Sequence, residues 1–114
     1  MIEHKAVFSF GATGHAESKS VFTDLPSGLT HTFVVVAGET TNNVTYTLRL
    51  RDAAGNILFA KSGIADDGTT ILGPSTTEGH EWPFINGGSI GIDPDGDAGA
   101  LHPDVTVYVY AVKM

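Results

Sequence analysis

From residue 44 to residue 51 apolar and polar side chains alternate without a fault. Val44, Tyr46, Leu48 and Leu50 fall on one side, and Thr45, Thr47, Arg49 and Arg51 on the other. A period of two belongs to a β-strand with one face in a core and one in water. The pattern recurs along the chain. Residues 3–10 set Ala6, Phe8 and Phe10 against Lys5, Val7 and Ser9, and residues 105–112 set Val105, Val107, Val109 and Ala111 against Thr106, Tyr108, Tyr110 and Val112. Residues 30–37 are rich in β-branched side chains and end in an apolar run, as a strand covered on both faces would be. The last strand is apolar on both sides too, which places it centrally in a sheet. Shorter candidates lie at 20–23, 57–60, 69–72, 82–85 and 89–92, whereas 73–103 otherwise reads as loop. No stretch of helical length repeats apolar residues at i, i+3, i+4 and i+7.

Turn chemistry punctuates these strands. Asp52-Ala53-Ala54-Gly55-Asn56 reads as a short hairpin loop, with Gly55 or Asn56 able to take positive φ, and Ala65-Asp66-Asp67-Gly68 as a second turn. Seven or eight strands with turns about every 8–12 residues predict an all-β fold. The expectation is one antiparallel β-sandwich, jelly-roll-like, spanning residues 1–114. A chain of 114 residues, 41% of them hydrophobic, can close one core of its own. It has no Cys, so disulfides, thiolate metal sites and a cysteine nucleophile are excluded. The start, Met1-Ile2-Glu3-His4-Lys5, lacks the apolar stretch of a signal peptide, and the longest apolar run, residues 33–37, is far too short to span a bilayer.

The net charge of −7 is unevenly spread. Residues 1–61 hold five acids and five bases, whereas 62–114 hold eight acids and Lys113 alone. A field of that sign repels phosphate backbones and anionic lipid, so neither nucleic acid nor membrane is an expected partner. A basic protein surface or a cation suits it.

The sharpest local signal is Asp93-Pro94-Asp95-Gly96-Asp97-Ala98-Gly99. Asp93, Asp95, Asp97 and Asp104 stand at positions 1, 3, 5 and 12 of a calcium-type loop, where alternating carboxylates can surround a hard cation. Ala98 stands where such a loop needs Gly and Asp104 where it needs the longer Glu, so a polar surface loop whose Asp, Pro and Gly simply make turns is the favoured reading and calcium the lesser one. Trp82 and Phe84 are candidates for partner contact, as a sugar-stacking platform or as an apolar plug. The five histidines, His4, His15, His31, His80 and His102, lack any metal-site spacing. No nucleophile elbow occurs, and Gly87-Gly88-Ser89-Ile90-Gly91 has neither the Lys nor the following helix of a phosphate loop. It reads as a bend or a point of close approach. No catalytic residue and no cofactor are therefore expected.

The run from Val44 to Phe59, Val-Thr-Tyr-Thr-Leu-Arg-Leu-Arg-Asp-Ala-Ala-Gly-Asn-Ile-Leu-Phe, resembles strand-turn-strand segments of small structural proteins of tailed bacteriophages, as does Asp104-Val105-Thr106-Val107-Tyr108-Val109-Tyr110. The resemblance covers about half the chain and brings no catalytic motif. It implies a capsid decoration (cement) protein, assembled in the host cytoplasm and bound to the major capsid protein on the virion exterior, as a trimer or dimer. In that role the first ten residues could lend a strand to a neighbour, and the acidic half could dock on basic capsid surface. The alternative is a calcium-dependent or carbohydrate-binding sandwich used for host adhesion.

Overall fold

A computed structural model describes residues 2–11, 17–21, 28–73, 82–84 and 88–113. Nine strands are found among them: β1 (Ile2–Phe8), β2 (Ser18–Val21), β3 (Gly28–Ala37), β4 (Thr45–Arg51), β5 (Ile57–Ala65), β6 (Gly68–Leu72), β7 (Trp82–Phe84), β8 (Ser89–Pro94) and β9 (Val105–Lys113). All strand pairings are antiparallel. One sheet has the order β1-β9-β3-β6, with β7 on the same side of β3 as β6; the other has the order β2-β8-β4-β5. The chain is an all-β sandwich.

The strand order identifies how the sandwich is wound. Pairs β1–β9, β2–β8, β3–β6 and β4–β5 are those of one long hairpin folded at the β4–β5 turn. The remaining long pairs, β9–β3 and β8–β4, arise when that hairpin rolls up on itself. This is the winding of a jelly roll. In an immunoglobulin-like sandwich the first strand would lie beside the second, and here it lies beside the last.

Alternation decides what goes inside. Ala6, Phe8, Phe33, Val35, Leu72, Val105, Val107, Val109 and Ala111 of the first sheet face Tyr46, Leu48, Leu50, Ile64, Ile90 and Ile92 of the second, all buried. Phe33 stacks on Phe59 across the sheets at 5.8 Å. At the β1–β2 side, buried His4 meets Ser20, with Nε2 and Oγ 3.0 Å apart. His4 is thus a core histidine.

Three features differ from the sequence expectations. Strand β9 is central, but its outer side chains Thr106, Tyr108 and Tyr110 stay partly exposed, as does Val34 of β3. A sandwich covers each strand on one face only, so the doubly apolar pattern marks exposed apolar surface rather than a third layer. Strand β1 pairs along its whole length with β9 of its own chain and is not a free donor strand. Strand β5 runs to Ala65, beyond the expected residue 60, because a bulge breaks its alternation. Between Tyr46↔Ile64 and Leu48↔Lys61, β5 carries one residue more than β4. Gly63 sits there at φ 72°, the left-handed conformation of a glycine bulge.

Bulges of this kind twist an edge strand and stop it from templating another chain, which suits an edge bearing exposed Ile57 and Leu58. A Cβ at Gly63 would meet nothing within 4 Å, so a substitution there is penalised by backbone conformation alone. Gly63→Val is expected to lower stability by about 1–2 kcal/mol. Gly63→Asn should lose less than half of that. Urea unfolding of the two variants checks the ranking.

Candidate functional site

The strand directions collect three described connections at one end of the sandwich. Ala37 pairs with Gly68 and Val105, and Phe8 with Val105, so β1, β3, β6 and β9 start or stop together. Thr45↔Ala65 and Tyr46↔Pro94 bring the matching ends of β4, β5 and β8 there. Loops 38–44, 66–67 and 95–104 therefore share this end. They carry Glu39, Asp66, Asp67, Asp95, Asp97 and Asp104 and no Lys or Arg. All but Asp66 are exposed. In the described part of the opposite end, loop 52–56 contributes only Asp52. The sequence asymmetry between halves becomes an acidic pole.

Most of these carboxylates also tie the pole together. Asp66 Oδ2 accepts from Thr40 N at 2.9 Å and Thr40 Oγ1 at 2.5 Å, and Thr40 Oγ1 in turn accepts from Val44 N at 3.1 Å. Asp95 accepts from Thr45 N and Thr45 Oγ1 at 3.0 and 2.8 Å. Asp97 Oδ1 accepts from Gly99 N at 2.8 Å, while its carbonyl accepts from Asn42 Nδ2 at 2.8 Å. Asp104 Oδ1 accepts from Ser9 Oγ at 2.7 Å.

The four residues of the calcium-type run are thereby distributed to four partners. Asp93 lies in β8, paired across to Thr47, and its carboxylate accepts from Arg49. Asp95, Asp97 and Asp104 cap three separate loop contacts. Among the described residues, no group of three or more His, Asp or Glu is placed to share a metal ion. Trp82 and Phe84 form the ends of β7, opposite Thr30 and Gly28 of β3, and their side chains lie outside the described residues. His15 and His80 lie outside them as well, and so does the side chain of His31, whose backbone occupies a bulge between Thr30 and Thr32.

A second polar cluster covers the outer face of the four-stranded sheet. Arg49 and Arg51 project from β4, and Glu17, just before β2, reaches over Gly91 of β8 to meet both. Glu17 Oε2 lies 3.2 Å from Arg49, and Oε1 lies 2.5 Å from Arg51. Asp93 holds Arg49 from the other side, and Lys19 Nζ stands 3.7 Å from Glu17. A Cβ at position 91 would fall 2.6 Å from Glu17 Oε2, so the glycine makes room for this ion pair. Gly91 thus serves close approach, although by a side chain. Sequence reasoning missed Glu17. The signal available was the Arg49/Arg51 pair, two guanidinium groups on one strand face that a shared anion can bridge.

The outer face of the five-stranded sheet has the opposite character. The register sets Val7, Thr106, Val36 and Thr69 in one row, Lys5, Tyr108, Val34 and Ile71 in the next, and Glu3, Tyr110 and Thr32 in a third. Val7, Val36 and Ile71 are 55%, 40% and 53% exposed. Tyr108 and Tyr110 stack at 6.4 Å, and Lys5 Nζ lies 5.7 Å from the Tyr108 ring centre. Tyr110 also hydrogen-bonds Glu3; partial burial, then the Glu3 charge and that bond, raise the phenol above its ordinary value. No family model and no curated protein matches the chain.

Two outcomes follow. Thr40 is 2% exposed, so Thr40→Val takes the acceptor from the Val44 N–H and leaves Asp66 only its bond from the residue-40 backbone N–H, and should cost about 1–3 kcal/mol. Thr40→Ser, measured alongside by chemical denaturation, should retain most of the stability. Burial tends to raise the Glu17 carboxyl, but Arg51 and Arg49 outweigh it and hold it below its ordinary 4.5. A depressed folded value means that the stabilisation is complete above 4.5 and is lost as pH falls through the folded value. Glu17→Gln, whose side chain is only 14% exposed in the native residue, should cost about 2 kcal/mol near neutrality. It should also flatten the acid limb of stability against pH.

Proposed function

We propose that this chain is a non-enzymatic structural protein of a virion, a decoration protein bound to the exterior of the major capsid protein shell. The observation that carries the reading is the acidic pole, in which three loops at one end of the sandwich carry six carboxylates on a braced support. A rigid array of one charge sign suits docking onto a basic protein surface, because little side-chain freedom is lost on binding. The polar side chains bonded there hold the loops to one another. Such a protein works by shape and added interface rather than by chemistry. Jelly-roll domains occur in viral capsids, and also in lectins and cupins, so the winding alone does not choose among them. The acidic pole and the likeness of residues 44–59 and 104–110 to phage structural segments favour the capsid.

Quantitative mass spectrometry of purified particles from the source culture tests the reading. A simple stoichiometric fraction of the major capsid protein is the expected result, and absence from the particles overturns it. Glu39→Gln with Asp67→Asn removes two exposed pole charges, and should weaken rebinding to stripped capsids about tenfold at low salt. The deficit should shrink as salt is raised. Calcium provides the contrast with a cation-dependent module: the capsid reading expects millimolar calcium to leave Tm unchanged. A calcium-dependent rise that is lost in Asp95→Asn/Asp97→Asn would point to the cation instead.

A further inference from the structure

We propose that the outer face of the five-stranded sheet is a self-association surface, and that its occupant is the same face of a second copy of this chain. An antiparallel sheet facing water ordinarily puts polar side chains outward. Here Val7, Val36 and Ile71 stand more exposed than buried neighbours of their strands, around half-exposed Val34, Tyr108 and Tyr110. They are contiguous, because the β1-β9-β3-β6 register sets them in adjacent rows. Contiguous apolar surface of this kind marks an interface.

Charge selects the occupant. The chain carries −7, yet this face carries only Glu3 and Lys5 among its described charged side chains, one of each sign. Nothing on it favours a strongly basic or acidic partner. With one charge of each sign, it lets two acidic molecules meet without net repulsion. Both charges already have partners within the face, Glu3 the Tyr110 hydroxyl and Lys5 the Tyr108 ring, so covering them strands neither.

The arrangement is self-complementary too. Glu3 and Lys5 lie two residues apart on edge strand β1, about 7 Å along it. A two-fold axis crossing β1 between them sets Glu3 of each copy towards Lys5 of the other, with the tyrosines and valines packed alongside. This inference is independent of the capsid reading, since it concerns a different surface and is tested on the isolated chain.

Sedimentation velocity of the full chain from about 1 to about 100 μM, the range for interfaces of modest size, is the test. The expected result is concentration-dependent association, weakened at least tenfold by Ile71→Glu and by Val7→Glu on the opposite side of the face. Val21→Glu, at an exposed position on the other sheet, should leave it unchanged. Circular dichroism melts show that each variant is folded; a variant that fails to fold is replaced by Val36→Thr with Tyr108→Ser, read in the same way. A wild-type chain that stays monomeric throughout overturns the proposal, as does association that both face variants leave intact or that Val21→Glu abolishes equally.

Discussion

The interaction on which the rest depends is the insertion of β9 between β1 and β3. Ile2 pairs with Ala111 and Phe8 with Val105, while the other edge of β9 pairs from Gly28 to Ala37. Without β9 the first strand has no neighbour in its sheet, and Val105, Val107, Val109 and Ala111 are missing from the middle of the core. The chain's two ends must therefore meet before the sandwich closes. Such a closure is entropically expensive and yields its reward late, which places this fold among the slowly folding topologies. Local turns help only with the innermost hairpin. Asp52 accepts from Ala54 N and Asn56 N at 3.0 and 2.8 Å, and Gly55 takes φ 91°, so the β4–β5 turn is specified by a few adjacent residues.

Polar residues then make the long-range closure definite. Glu17 reaches Arg49 and Arg51 across 32 and 34 positions, and Thr45 reaches Asp95 across 50. Ser9 reaches Asp104 across 95. The exposed bonds of Asp95 and Asp104 add little to stability. The larger contribution of these long-range bonds is to register, since a strand slipped by one residue would carry Arg49 or Asp93 into the core and leave its partner behind. The same carboxylates that produce the acidic pole thus also fix which residue lies beside which.

This division explains what was legible in the sequence. Strand positions and inward faces follow from side-chain alternation, which is local, and residues 44–51 and 105–111 fold as their pattern requires. The jelly-roll-like form was expected, but the strand order was not readable, because pairing β1 with β9 rather than β2 depends on closure across the whole chain. The Asp93, Asp95, Asp97 and Asp104 spacing suggested one site because sequence shows proximity along the chain alone. In three dimensions Arg49, Thr45, Gly99 N and Ser9 each draw one acid aside. Glu17 was invisible for the complementary reason: its partners lie more than thirty residues away, and Gly91, which admits its side chain, looked like part of a glycine-rich bend.

The two outer faces show how one alternating code can yield different surfaces. On β4 the outward residues are Thr and Arg, and the Arg side chains recruit Glu17 and Asp93 into a salt-bridged cover over their own sheet. On β3 and β9 the outward residues are Val, Thr and Tyr, which carry no charge to recruit a salt-bridged cover, so apolar surface stays open. Burying it in a third layer would need a helix or a further sheet, which this strand pattern does not encode. A sandwich that pairs an ion-covered sheet with an apolar one, and sets its carboxylates at one end, has two distinct directions of contact. The sheet face, with one charge of each sign, depends mainly on apolar burial and the pole on net charge, so salt should weaken contact through the pole far more than contact through the sheet face.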